Sequence, residues 1–172
     1  MDALLILFRI IHVGSAMTWF GGAIVSSFFL QPTVAALGVA GQPFMEHLMN
    51  RRKLGVMFPI VAALTVLSGA VLYWRDSAGL QLTWITTPTG LAFTIGGLAA
   101  IIAFVGGGVL IGPGVAEQTA VHGELAVGDG RPTAAQQARL DGADRRLMLA
   151  GRIDLPLLLL AGLTMAVARY LR

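Results

Sequence analysis

The sequence predicts an all-α fold, a polytopic four-helix bundle suited to a lipid bilayer. Three observations carry that expectation. Of 172 residues, 56% are hydrophobic and 12% charged, about half the ~25% charge usual in a soluble domain. The mean hydropathy is +0.77. The apolar residues gather in four continuous stretches, about residues 4–30, 54–74, 89–111 and 147–171. Each reaches the ~20 helical residues that cross a ~30 Å hydrocarbon core.

A chain so apolar fits neither a disordered protein nor a soluble enzyme. The net charge of +3 comes from twelve Lys and Arg against nine Asp and Glu. No run of like charge forms a nucleic-acid tail, so no nucleic-acid partner is expected. The absence of cysteine excludes disulfides, thiolate metal sites and cysteine nucleophiles. No 20–50-residue period marks a repeat array. In a bilayer every backbone group must be satisfied within the segment, and runs this continuous do so as helices rather than as alternating barrel strands.

The first span carries Arg9 and His12 inside its apolar run. It is too long for a signal peptide and no Lys or Arg precedes it, so it reads as a mature helix. Gly14, Thr18, Gly22 and Ser26 repeat every four residues and form a small-residue stripe, where helices approach closely. Between the first two spans, residues 43–53 place Phe44, Met45, Leu48 and Met49 among Glu46, His47, Asn50 and Arg51 at helical spacing. That pattern describes an amphipathic interfacial helix. The second span follows, with Pro59 near its start. Residues 75–88 form a short connection holding Trp84. Trp74, Trp84 and Tyr170 lie near helix ends, as an aromatic belt does.

The third span holds Gly96, Ala100, Gly108 and Gly112 in one register, and its glycine-rich end at 106–114 reads as a helix terminus. Without a following Lys-Ser/Thr pair, those glycines are not a phosphate loop. Residues 113–146 are expected to be a polar loop. Thr133 and Gln136 form a capping-box pattern there, starting a short helix that leads into the fourth span and that Gly142 interrupts. The fourth span begins near Arg152, Asp154 and Pro156 and ends near Met165 and Arg169. The whole chain reads as one transmembrane domain.

Orientation follows the Lys and Arg of the loops. Arg51, Arg52, Lys53, Arg131, Arg139, Arg145 and Arg146 stand against Arg9, Arg75, Arg169 and Arg172 on the opposite side. Loops one and three are therefore expected in the cytoplasm and both termini outside, in a bacterial inner membrane.

Ionisable residues within a span are costly, and so are candidates for function. Arg152 and Asp154 read as an interfacial charge cluster, since charges near helix ends snorkel cheaply. His12 lies too deep for that. A buried imidazole needs a hydrogen-bond partner, a metal or a proton path. A histidine packed and hydrogen-bonded across the bundle satisfies this, and so does a haem. Arg9 shares the helix face of His12 at i−3, and Met165 and Arg169 on the fourth span lie at a similar depth. Imidazole on iron, guanidinium on propionates and a Met or nothing in the sixth position would make a haem site.

The stretch FRIIHVGSAMTWFGG, residues 8–22, resembles the first helix of small four-helix bacterial membrane proteins. These are the HemJ-type protoporphyrinogen oxidases and the related CopD-type copper-resistance domains. The matching positions are a basic residue at Arg9, a histidine three later at His12, Trp19 seven beyond it, and the small pair Gly21 and Gly22. Arg9 stands where the HemJ-type pattern has Lys, and the Pro-Arg-Leu stretch that follows helix one in that family is absent. The resemblance implies that His12 is an axial ligand of haem b. Arg9, Trp19, Met165 and Arg169 would then be further cofactor-binding positions, and a redox or haem-related role would follow.

Two other functions compete. The CopD-type resemblance implies copper handling, for which Met45, His47 and Met49 are soft ligands. In a helix, however, His47 points ~200° from Met45 and the set does not converge. The third possibility is a non-catalytic subunit or assembly factor held by its small-residue stripes, in a homo-oligomer or a larger membrane complex.

Overall fold

The computed structural model describes residues 3–128 and 130–171. Arg172, one of the cations in the orientation count, lies outside them. Among the described residues the chain is all-helical. Four helices are long and apolar enough to cross a membrane: α1 Ala3–Leu37, α3 Leu54–Asp76, α5 Pro88–Val127 and α6 Ala134–Tyr170. By length and composition this is a multi-pass membrane protein. Two short helices sit in the connections, α2 Gln42–Glu46 and α4 Leu82–Ile85.

The bundle is built as two close pairs. α1 packs along α3, and α5 packs along α6. α3 meets α5 less extensively, and α1 touches α6 only lightly. Small residues make each pair tight. Gly22 receives the Phe58 ring, which a Cβ would meet at 2.7 Å. Gly96 receives Thr164, Met165 and the Ala161 carbonyl, with Ala99, Ala100 and Ala161 forming the buried seam. The expected stripes are therefore only half used. A Cβ on Gly14 or Gly108 would meet nothing within 4 Å. Close approach depends on which side of the helix the neighbour takes, and spacing along one strand of sequence does not specify that.

Residues 113–146 are not a loop. α5 runs on through Pro113 to Val127, and α6 begins at Ala134. Pro113 lacks an N–H and its ring crowds the carbonyl four residues back, which ordinarily ends a helix. Here the Gly107–Ile111 turn widens instead, and the Gly112 N–H bonds five residues back to the Gly107 carbonyl. The same device precedes Pro32, where the Gln31 N–H bonds to the Ser26 carbonyl across a wide Ser26–Leu30 turn. A π-type turn absorbs the proline and keeps the helix going.

The ends of α5 and α6 form a polar hairpin closed by ion pairs. Arg139 bonds Glu117 at 2.5 Å and Glu124 at 2.8 Å, and Val121 and Ala143 are buried in the hairpin. Thr133 caps α6 with the expected reciprocal Gln136 bonds. Gly142 does not interrupt the helix. Pro156 consequently sits in the interior of α6 rather than near its start. At the other end, Trp84 is packed between Tyr73 and Phe93 at ring distances of 5.6 and 6.3 Å, whereas Trp74 and Tyr170 are exposed.

Candidate functional site

His12 lies nine residues into α1, ~14 Å along the helix at 1.5 Å per residue. Its partners come from α3. The imidazole Nδ1 lies 2.8 Å from the Thr65 carbonyl oxygen, with Ser68 Oγ at 3.4 Å. A carbonyl can only accept, so Nδ1 carries the proton. The single Thr65 hydroxyl proton is shared between Ser15 Oγ at 2.9 Å and the Val61 carbonyl at 2.8 Å, and Ser15 donates to the Ile11 carbonyl at 2.6 Å. Ser15, Thr65 and Ser68 are all buried. Gly69 makes the room: a Cβ there would lie 2.8 Å from the His12 Cε1. An apolar helix thus delivers a fixed imidazole to a neighbour that presents a carbonyl, two hydroxyls and a gap.

This tautomer bears on haem. A metal-binding histidine characteristically donates its other ring N–H to a carbonyl or carboxylate, which holds the ring and leaves Nε2 with its lone pair. Nε2 takes no hydrogen bond among the described residues. His12 Nε2 is therefore the atom that would hold a haem iron if one were bound. The remaining candidates divide. Arg9 is exposed on α1 and Trp19 is half-buried. Met165 lies in the other helix pair, its Cγ against Gly96, and Arg169 is exposed at the end of α6. The contacts of His12 are with α3 and those of Met165 with α5, so the structure does not bring the two together through any contact described.

The soft-ligand stretch is helical through Gln42–Glu46 and continues in a wide turn over His47–Arg51. Met45 and Met49 turn inward together and are half-buried, while His47 is exposed. The three do not converge. Among the described residues, no three His, Asp or Glu side chains gather to hold a metal ion.

The expected Arg152–Asp154 charge cluster contains a second candidate. Asp154 is buried, 9% exposed, and its Oδ1 has no hydrogen-bond partner among the described residues. It lies eight residues, ~12 Å, inward of Arg146 along α6. It faces α5, where a Cβ on Gly106 would lie 3.1 Å from Oδ1 and one on Gly107 4.0 Å from Oδ2. Arg152 turns the other way. With Ser27, Phe28, Gln31, Leu147 and Leu155 it lines a groove of about 240 Å³ between α6 and α1. The expected interfacial charge cluster is thus split across two faces of α6. An aspartate side chain is too short to snorkel as Arg152 can. The glycine run opposite was the available signal, since it marks where a neighbour's side chain approaches backbone.

No family model, curated protein or solved structure matches this chain.

Proposed function

We propose that this chain is an integral membrane protein of the bacterial inner membrane that binds haem b through His12 and has a redox or haem-related role. The observation that supports the reading is the Nδ1 hydrogen bond to the Thr65 carbonyl, because it pre-sets Nε2 as the ligand nitrogen and holds the ring against rotation. The resemblance of residues 8–22 to the HemJ-type first helix points the same way. In this reading Arg9, one helical turn before His12, meets a propionate, and Arg169 is a second cation for the same purpose. Met165 packs on Gly96 in the other helix pair and would not hold the cofactor together with His12. A bound haem would supply one-electron chemistry at its iron. This chain's own residues hold the imidazole, shield it with apolar helix faces and place cations at the terminal side. In this reading the α1–α3 connection and the α5–α6 hairpin face the cytoplasm, by their Arg and Lys content.

The test is the absorption spectrum and pyridine haemochrome of detergent-purified protein. A Soret band with haem b stoichiometric to chain supports the proposal. Its absence from protein expressed with adequate haem supply overturns it.

A further inference from the structure

The second intramembrane polar group has no place in the haem reading. A carboxylate this buried needs a positive charge beside it, hydrogen bonds to its oxygens, or a proton. Asp154 lacks the first two at Oδ1. The wall opposite is glycine, offering no side chain at Gly106 or Gly107. Charged groups on the packed elements lie elsewhere. α5 has no titratable residue between Pro88 and Ala116, and its Glu117, His122 and Glu124 belong to the polar hairpin. On α6 the nearest cation in sequence is Arg152, which lines the groove on the α1 side. Arg145 and Arg146 lie two turns or more back. α1 carries no titratable residue between Val13 and Leu37.

At this level α5 is irregular and α6, though unbroken, lacks one backbone N–H. The wide turn of α5 begins at Gly107, the residue that faces Oδ2. Two residues beyond Asp154, Pro156 removes the N–H that the Arg152 carbonyl would otherwise receive in α6. Irregular backbone at membrane depth occurs where it is buried in protein or lines a site, and π-type turns recur at functional positions. The wide turn of α5 and the missing N–H of α6 thus lie on either side of the buried Asp154 carboxyl.

We propose that Asp154 is a proton-binding site within the membrane: a carboxyl that takes up and releases one proton between α5 and α6. A proton fits better than an alkali ion, because the glycine wall provides no second carboxylate or hydroxyl to complete a metal ion's oxygen shell.

The test uses the full chain in lipid nanodiscs. A hydrophobic carbodiimide adds, without a leaving group, to a protonated carboxyl held in an apolar site. Peptide mass spectrometry then finds the acylurea adduct at Asp154, formed faster as the pH falls and unaffected by sodium. Difference infrared spectroscopy of wild type against Asp154→Asn reads the same proton without depending on reagent access. It shows a protonated-carboxyl C=O stretch that the variant lacks. Gly106→Ala, which crowds Oδ1, slows adduct formation several-fold while circular dichroism stays unchanged. Absence of the protonated-carboxyl band across the accessible pH range overturns the proposal. So does labelling that is independent of pH, or protection by sodium, which would make the site one for an alkali ion.

Discussion

The α1–α3 pair carries the His12 imidazole into the apolar region and the α5–α6 pair the Asp154 carboxyl, and each places a glycine opposite it. In the first pair the imidazole of His12 fits over Gly69, and its proton goes to the Thr65 carbonyl, beside a chain of Ser15 and Thr65 hydroxyls. In the second pair the carboxyl of Asp154 fits against Gly106 and its Oδ1 goes unanswered. The architecture is the same and the electrostatic outcome is opposite. A satisfied buried network rigidifies its surroundings, whereas an unsatisfied group costs stability. The first pair thus presents a fixed ligand, and the second retains a group that stability alone would not select.

The sharpest way to break this comparison is a pair of leucine substitutions. His12→Leu removes the hydrogen bond across to α3 and inserts a differently shaped side chain over Gly69; we expect a loss of about 1–3 kcal/mol. Asp154→Leu removes an unpaired buried carboxyl and is expected to be neutral or stabilising by about 1–2 kcal/mol. Reversible unfolding in mixed micelles reads both signs. Destabilisation of similar size in both variants would show that the two sites are built alike.

Glycine substitutions sharpen the same contrast at smaller scale. Gly69→Ala puts a methyl 2.8 Å from a ring held on its other side, at an expected cost of about 1–3 kcal/mol. Gly106→Ala meets only a carboxylate oxygen at 3.1 Å and should cost less, below about 1 kcal/mol. Melting temperatures of the two variants under one detergent condition rank them. Smaller again is Thr65→Val. It deletes the hydroxyl bond to Ser15 but keeps the carbonyl that holds His12, so about 0.6 kcal/mol is expected, typical of side-chain hydrogen bonds in membranes. The spectroscopic properties of His12 should be unchanged by it.

The smallest effect is in the polar hairpin. The Gln136 amide and then the Arg139 guanidinium hold the exposed Glu124 carboxyl below the ordinary carboxylate range. A lowered value means that its contribution to the hairpin is fully present above the unfolded value and is lost as pH falls through the folded one. Hydrogen exchange of the hairpin amides should therefore speed up, after correction for intrinsic rates, only below the ordinary carboxylate range. The bundle amides should be indifferent.

Much of this molecule was legible in its sequence. Long apolar runs can only be helices in lipid, so the four spans and their order follow from counting. The Thr133–Gln136 cap was readable because both partners lie on one turn. The hairpin was not, because glycine and proline at 106–114 are ordinary stop signals and only the wide turn before Pro113 overrides them. His12 stood out as an ionisable residue far from any loop, but its partner did not, since Thr65 contributes a backbone carbonyl that no residue type advertises. Asp154 and Arg152 read as one charge cluster because they lie two residues apart, whereas the burial of the Asp154 carboxyl against Gly106 comes from the packing of α5 on α6. Which neighbour a helix face meets, α3 for His12 and α5 for Asp154, is a property of the assembled bundle.

The most direct test of the central claim is the Soret region of purified wild type beside His12→Gly, with and without added imidazole. A haem b band in wild type, its loss in the variant and its return when imidazole fills the vacated position are expected. A wild-type band that persists unchanged in His12→Gly, or a wild type that carries no haem, would contradict the claim.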